Sequence, residues 1–347
     1  MEIGSEYWLE DKQNSKDSVS YFQFGIDNRF LLSGRIAIGY VLDDILNTRK
    51  INKVYFPSYC CSSMLQPFYD RGIKVDFYSV DYTTKLEYNI DLNCECDIFF
   101  AMSYFGFSST NMDSYIANFK QRGIIVIEDI THRLLCNEAF CKEADYLVAS
   151  LRKWFPLISG GLAVCLNDKF GINESEETNN TYVKARKEAM LKKRDYIVSK
   201  KDNKKEFLEQ YNLANKMLEN TSVNFKIDKE SYNILNALDI NKIKITRIKN
   251  AKIIYEALKN ENYSILVNEL TNNDCPLFVP IILKKRDALR KYLIDKGIYC
   301  PAHWPLPNGI KSSNIFEEEL SLICDQRYNT KDIETYISII LKFLKEN

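Results

Sequence analysis

The chain has 347 residues, and its 47 Lys and Arg balance 47 Asp and Glu to a formal net charge of zero. That balance argues against a dedicated nucleic-acid binder, which needs excess cation to displace phosphate counterions. A hydrophobic content of 46% with only 12 Gly and 8 Pro argues against disorder.

In chain order, apolar runs at 54–57, 75–78, 97–100, 124–127, 146–149 and 161–164 read as buried strands. Helical patterns fall between them at 35–46, 61–71 and 112–121, the last two followed by Gly72 and Gly123. This alternation implies an α/β domain with a mostly parallel central sheet. Residues 184–205 carry ten Lys and Arg against three acids. They read as a basic amphipathic helix, either a solvated face or a surface for nucleic acid, a membrane or a phosphorylated substrate. Beyond it, a helix near 239–259, a strand at 277–283 and a helix at 286–296 suggest a second unit. The last helix spaces Ile333, Tyr336, Ile337, Ile340, Leu341 and Leu344 into one apolar stripe. Cores tend to divide beyond about 250–300 residues, so we expect a large domain over 1–235 and a smaller C-terminal α/β domain over 236–347.

The N-terminus lacks the basic and apolar pattern of a signal peptide, and no stretch approaches the roughly 20 apolar residues that span a bilayer. The ten cysteines include the neighbours Cys60 and Cys61, with no CxxC pair, and the only two histidines, His132 and His303, lie far apart. These features point to reduced thiols, a cytoplasmic protein and no bound metal.

Polar groups in open α/β sheets gather at the carboxyl ends of strands. Ser33-Gly34-Arg35 opens the first helix, where Ser is a good N-cap and the first-turn amides suit a phosphate, although any N-capped helix looks like this. Glu128 and Asp129 end the strand at 124–127, and His132 follows, where it serves equally well as a structural histidine. Ser150 and Lys153 follow the strand at 146–149, and the apolar neighbours Leu151, Trp154 and Phe155 would desolvate the amine. Tyr59 and Cys61, in the turn that begins at Pro57, are the natural wall for one face of a flat ring. A phosphate-ready helix start, an acid and a desolvated lysine together describe a site for pyridoxal 5'-phosphate (PLP).

The order of these motifs resembles the DegT/DnrJ/EryC1/StrS family of PLP-dependent sugar aminotransferases. The resemblance runs from GSEYW at 4–8 to DQRY at 325–328, through SGRIA at 33–37, PSYCC at 57–61, Phe105-Gly106, DITH at 129–132 and SLRK at 150–153 with Gly160-Gly161. The lysine stands three residues after the serine, as in a Ser-x-Arg-Lys subgroup, and no Gly-x-Asn-x-Arg segment follows Gly161. The resemblance implies a fold-type-I homodimer with sites at the subunit interface. It also implies Lys153 as the cofactor lysine, Asp129 on the pyridine nitrogen, His132 near the ring hydroxyl and Ser150 on the phosphate. The implied reaction moves an amino group from L-glutamate to a nucleotide-linked keto-sugar, for a surface polysaccharide, lipopolysaccharide or antibiotic sugar. A relative that deoxygenates sugars, or a non-catalytic descendant that binds sugar nucleotides or a partner, is the alternative.

Overall fold

The computed structural model describes residues 2–10, 17–83, 85–259, 264–265, 270–307, 309–311 and 313–346. In chain order come β1 (Ile3–Gly4), β2 (Asp27–Leu31), α1 (Gly34–Thr48), β3 (Lys53–Pro57), α2 (Ser62–Tyr69), β4 (Lys74–Tyr82), β5 (Leu86–Asn89) and β6 (Ile98–Met102). Next are α3 (Asp113–Gln121), β7 (Ile125–Asp129), β8 (Tyr146–Ser150), β9 (Gly161–Cys165), α4 (Asn180–Ser199), α5 (Lys204–Glu219), α6 (Lys229–Asn236) and α7 (Ile240–Leu258). The C-terminal part holds β10 (Ser264–Ile265), β11 (Val279–Ile282), α8 (Arg286–Asp295), β12 (Ile298–Tyr299), α9 (Asn314–Glu318), β13 (Glu319–Leu322) and α10 (Thr330–Glu346).

Eight strands build the central sheet in the order β2-β9-β8-β7-β6-β3-β4-β5. The inner pairings from β8 to β4 are parallel, and the edge pairings of β2, β9 and β5 are antiparallel. All five residues of β6 and of β7 are buried, which explains why they are continuous apolar runs rather than alternating ones. The mostly parallel α/β sheet expected from the sequence is therefore present. The strands β2 and β5 are additions. DNRFL and LEYN carry too many polar residues to stand out as strands, and they form at sheet edges because β9 and β4 supply the backbone partners.

A three-stranded antiparallel sheet, β10-β11-β13, lies in the C-terminal part. The stripe on α10 buries Ile333, Tyr336, Ile337 and Ile340, as its spacing required. The N-terminus joins this part too, because β1 pairs in parallel with β12. The basic stretch 184–205 spans most of α4 and the start of α5, and its charges have partners within the chain. Arg186 pairs with Glu6 at 2.7 Å, Lys187 with Glu230 at 2.5 Å, and the buried Lys193 with Glu2 at 3.4 Å. Part of this face is thus a clamp on the N-terminal segment. All ten cysteines are free thiols. Among the described residues, no helix is long and apolar enough to cross a membrane.

One cation braces the parts of the fold that meet near Lys153. Arg247 of α7 is fully buried and donates to Gln326 Oε1 at 2.7 Å, the Tyr7 hydroxyl at 3.0 Å, and the Pro276 and Leu277 carbonyls at 3.2 and 3.1 Å. Its guanidinium also lies 4.5 Å from the centre of the Trp154 ring. Arg247→Met fills the space but leaves these acceptors unpaired in the interior. We expect a loss of about 3 kcal/mol in urea unfolding. An unchanged midpoint would contradict this account.

Candidate active site

The site is assembled where β7 and β8 end. Asp129 is the last residue of β7 and pairs with Val148 of β8, so its side chain emerges at the carboxyl edge of the sheet. Side chains alternate along a strand, and Glu128 therefore projects from the other face. There it accepts the Cys141 N–H at 2.8 Å, 4.0 Å from the Arg133 guanidinium, and burial pushes its carboxyl up to about 8. Of the acid pair in the sequence, only Asp129 faces the site.

Asp129 is buried and accepts the Thr131 N–H at 2.7 Å. Burial raises its carboxyl above the ordinary range, against the pull of the Thr131 hydrogen bonds and the nearby charge of Lys153. Thr131 also accepts the Ser150 N–H on its hydroxyl at 2.9 Å and the Trp154 indole N–H on its carbonyl at 2.6 Å. These bonds tie the two strand ends together. They fix the tight turn Leu151–Lys153, which Gln326 also braces through the Trp154 carbonyl at 2.8 Å.

Lys153 is half-buried, with Nζ 3.4 Å from His132 Nε2 and 5.5 Å from the centre of the Trp304 ring. Burial lowers its amine below the usual lysine range, while the nearby Asp129 carboxylate opposes the shift. His132 is fully buried, and its Nδ1 accepts the Phe105 N–H at 3.0 Å. Burial, with Lys153 nearby, holds the ring well below its ordinary pKa, so it is neutral. A neutral imidazole that accepts on Nδ1 carries its hydrogen on Nε2, and that N–H is turned toward the amine. The Phe105 backbone, at φ 61, positions this bond. Gly106 follows at φ 88, and an added Cβ there would lie 2.2 Å from the Cys275 carbonyl oxygen.

The first turn of α1 lies beside Ser150. Ser33 caps the helix by accepting the Ile36 N–H at 3.3 Å. A Cβ on Gly34 would come within 2.9 Å of the Ser150 Cβ, and one on Gly161 within 2.1 Å of the Ser33 carbonyl oxygen. The glycines thus allow α1, β8 and β9 to converge, leaving first-turn amides without intrahelical acceptors next to a serine hydroxyl. Arg35 contributes its amide to this turn, while its guanidinium donates to the Leu218 carbonyl of α5 at 3.3 Å. This cradle, the nucleophilic amine and the buried carboxylate form a donor set that fits PLP.

Cys61 precedes α2 and is half-buried. Tyr59 is fully buried and faces the C-terminal elements. Its ring packs edge-on against Trp304 at 4.9 Å and its hydroxyl donates to Glu319 at 3.3 Å. The sequence reading assigned no role to Trp304, whose ring stacks on His132 at 5.7 Å and 23°. It also assigned none to His303, 6.1 Å from His132 between ring centres. The available signal was His303-Trp304-Pro305, which holds one of only two histidines in the chain.

The chain shares its fold with solved structures of aminotransferases. PseC from Helicobacter pylori, an aminotransferase involved in pseudoaminic acid biosynthesis, superposes over 100% of both chains with TM-score 0.70 and 15% identity. A DegT DnrJ EryC1 StrS aminotransferase from Brucella abortus matches over 97% of this chain and 91% of its own, with TM-score 0.62 and 15% identity. The PLP form of Spr1654 from Streptococcus pneumoniae matches over 98% and 94%, with TM-score 0.61 and 14% identity. No protein-family model and no curated sequence matches the chain, so the likeness is one of fold.

Proposed function

We propose that this protein is a PLP-dependent aminotransferase of the DegT/DnrJ/EryC1/StrS type. It moves an amino group from L-glutamate to a nucleotide-linked keto-sugar on the way to a surface polysaccharide, lipopolysaccharide or antibiotic sugar. The observation that carries the reading is the half-buried Lys153 amine, 3.4 Å from His132 Nε2 and near enough to Asp129 to feel its charge. The aminotransferase fold around it supports the reading.

Lys153 would hold the cofactor, with Asp129 at the pyridine nitrogen, His132 Nε2–H at the ring hydroxyl, and Ser150 with the Ser33-Gly34-Arg35 turn at the phosphate. Once bound, PLP supplies an aldehyde carbon for amines and an electron-withdrawing ring. The chain's own groups do the rest. Lys153 Nζ is half-buried, so a larger share of it is unprotonated near neutral pH, able to take and return a proton. Asp129 presents a carboxylate that neutralises a protonated ring nitrogen. His132 stays neutral and donates from a fixed nitrogen. Trp304 lies against both Lys153 Nζ and His132, and Tyr59 packs edge-on against Trp304. In this reading, residues 1–235 form the large domain and 236–347 the smaller one. Two chains form a cytoplasmic homodimer with sites at the subunit interface.

The protein mixed with PLP should turn yellow, and L-glutamate should shift the absorption band. Borohydride reduction before glutamate should leave a single label, on the peptide containing Lys153. Failure to take up PLP, or a label on another lysine, defeats the proposal.

A further inference from the structure

His303 lies between β12 and α9, and hydrogen bonds fix it from below. Its backbone N–H donates to Glu319 Oε2 at 2.9 Å, and its Nδ1 lies 2.9 Å from Ser321 Oγ. Ser321 Oγ in turn donates to Glu319 Oε1 at 2.5 Å. Glu319 and Ser321 are two apart on β13, so both side chains project from one face of that strand, toward the imidazole. The Tyr59 hydroxyl also donates to Glu319 Oε2.

This chain of bonds sets where the ring hydrogen sits. A serine hydroxyl has one proton, and above about pH 7, the value to which burial raises the Glu319 carboxyl, the ionised Glu319 takes it. Ser321 Oγ can then only accept from His303, which places the ring hydrogen on Nδ1. The neutral ring's Nε2 is unprotonated, on the edge turned away from Ser321 and Glu319. Burial and the nearby charge of Lys153 hold the ring neutral, pushing it down to about 3. Phe105, Phe278 and Trp304 enclose it, with ring centres at 5.9, 5.2 and 4.8 Å. His132 is held in the opposite tautomer by Phe105. The two imidazoles, 6.1 Å apart between ring centres, are therefore neighbours of opposite tautomer, one a donor and one an acceptor at Nε2.

We propose that His303 is a specificity-determining residue whose Nε2 accepts a hydrogen bond from a hydroxyl of the sugar bound beside Lys153, with Ser321 and Glu319 as positioning residues that fix its tautomer. The inference rests on the reading of Lys153 as the cofactor lysine. A hydroxyl suits this site because it has a proton to give. The carboxylates of an amino acid donor have none, and would meet only a lone pair with Glu319 behind it.

Two measurements test this. Nitrogen-15 NMR of histidine-labelled, cofactor-free protein at about pH 8.5, where Glu319 is ionised, should show two neutral imidazoles of opposite tautomer, assigned with His303→Gln. Ser321→Ala should move the His303 signals toward tautomer averaging and leave His132 in place. An Nε2–H tautomer for His303, or signals unmoved by Ser321→Ala, overturns the inference. The second measurement titrates PLP-loaded protein with trans-2-aminocyclohexanol and with cyclohexylamine, following cofactor absorbance. Wild type should bind the amino alcohol about tenfold more tightly, the gain expected of one good hydrogen bond. That preference should vanish in His303→Phe and shrink in Ser321→Ala. Equal affinities in wild type, or a preference that survives in folded His303→Phe, overturn it. If wild type takes up no cofactor, the aminotransferase reading itself fails, while the tautomer result stands or falls alone.

Discussion

Replacing Lys153 by alanine is expected to lower transamination by about 10⁴-fold and to abolish the borohydride-stable label, while leaving the fold intact. Two losses combine, because one nitrogen both holds the cofactor and carries the proton. Lys153→Arg should not rescue either, since a guanidinium keeps its proton at any working pH. Stability should separate this effect from misfolding. The Lys153 amine sits lower than normal because burial disfavours its charge. The unfolded chain therefore binds more protons than the native one across the interval up to the ordinary lysine pKa, and Lys153 makes wild type more stable as pH rises through it. The alanine variant lacks that share, and its stability should rise less over the same interval. A variant that keeps wild-type turnover would remove Lys153 from the chemistry.

The second large effect concerns Gly161, where an alanine is expected to cost about 3 kcal/mol and to weaken PLP binding at the same time. Its Cβ would sit 2.1 Å from the Ser33 carbonyl oxygen and 2.9 Å from the Gly34 amide nitrogen. Both are backbone atoms, so no rotamer change relieves the overlap. The strand cannot shift aside either, because Gly161 is paired with Leu31 on one side and Ser150 on the other. The strain must push α1 away from β8 and β9, which opens the phosphate cradle. Gly123→Ala is the comparison. It has a positive φ of 75 but nothing within 4 Å, and should cost only about 1 kcal/mol with PLP affinity unchanged. Urea unfolding and absorbance titration with PLP measure both quantities. Equal losses in the two variants would show that close approach at Gly161 does not shape the cradle.

Much of this was legible before any coordinates. Strands β3, β6, β7, β8 and β9 are apolar runs, and a strand covered on both faces cannot tolerate charge, so its position is written locally. The cap at Ser33 and the stripe on α10 are local for the same kind of reason: each depends on spacings within one or two helical turns. The strand-end residues Asp129, His132, Ser150 and Lys153 could be located because the chemistry sits where such strands stop.

Tertiary structure decided what depends on contacts between distant segments. Glu128 and Asp129 look like a pair in sequence, but the alternation of β7 sends only Asp129 to the site. The cationic run 184–205 reads as a surface in sequence, yet Glu2 and Glu6 claim Lys193 and Arg186 from 191 and 180 residues away. His303, Trp304, Glu319 and Ser321 carry no local signal of a shared role. Trp304 meets Lys153 and His303 meets His132, with Glu319 and Ser321 behind His303, because the segment after β12 packs between β13 and the residues that follow β7. Which nitrogen of each histidine bears the hydrogen is set by bonds to Phe105 and Ser321, which lie 27 and 18 residues away along the chain. The sequence alone determined which residue types stand at the ends of buried strands, because burial filters composition locally. Only the folded chain decided which of them face one another, because side-chain direction and hydrogen-bond partners are properties of the packed elements together.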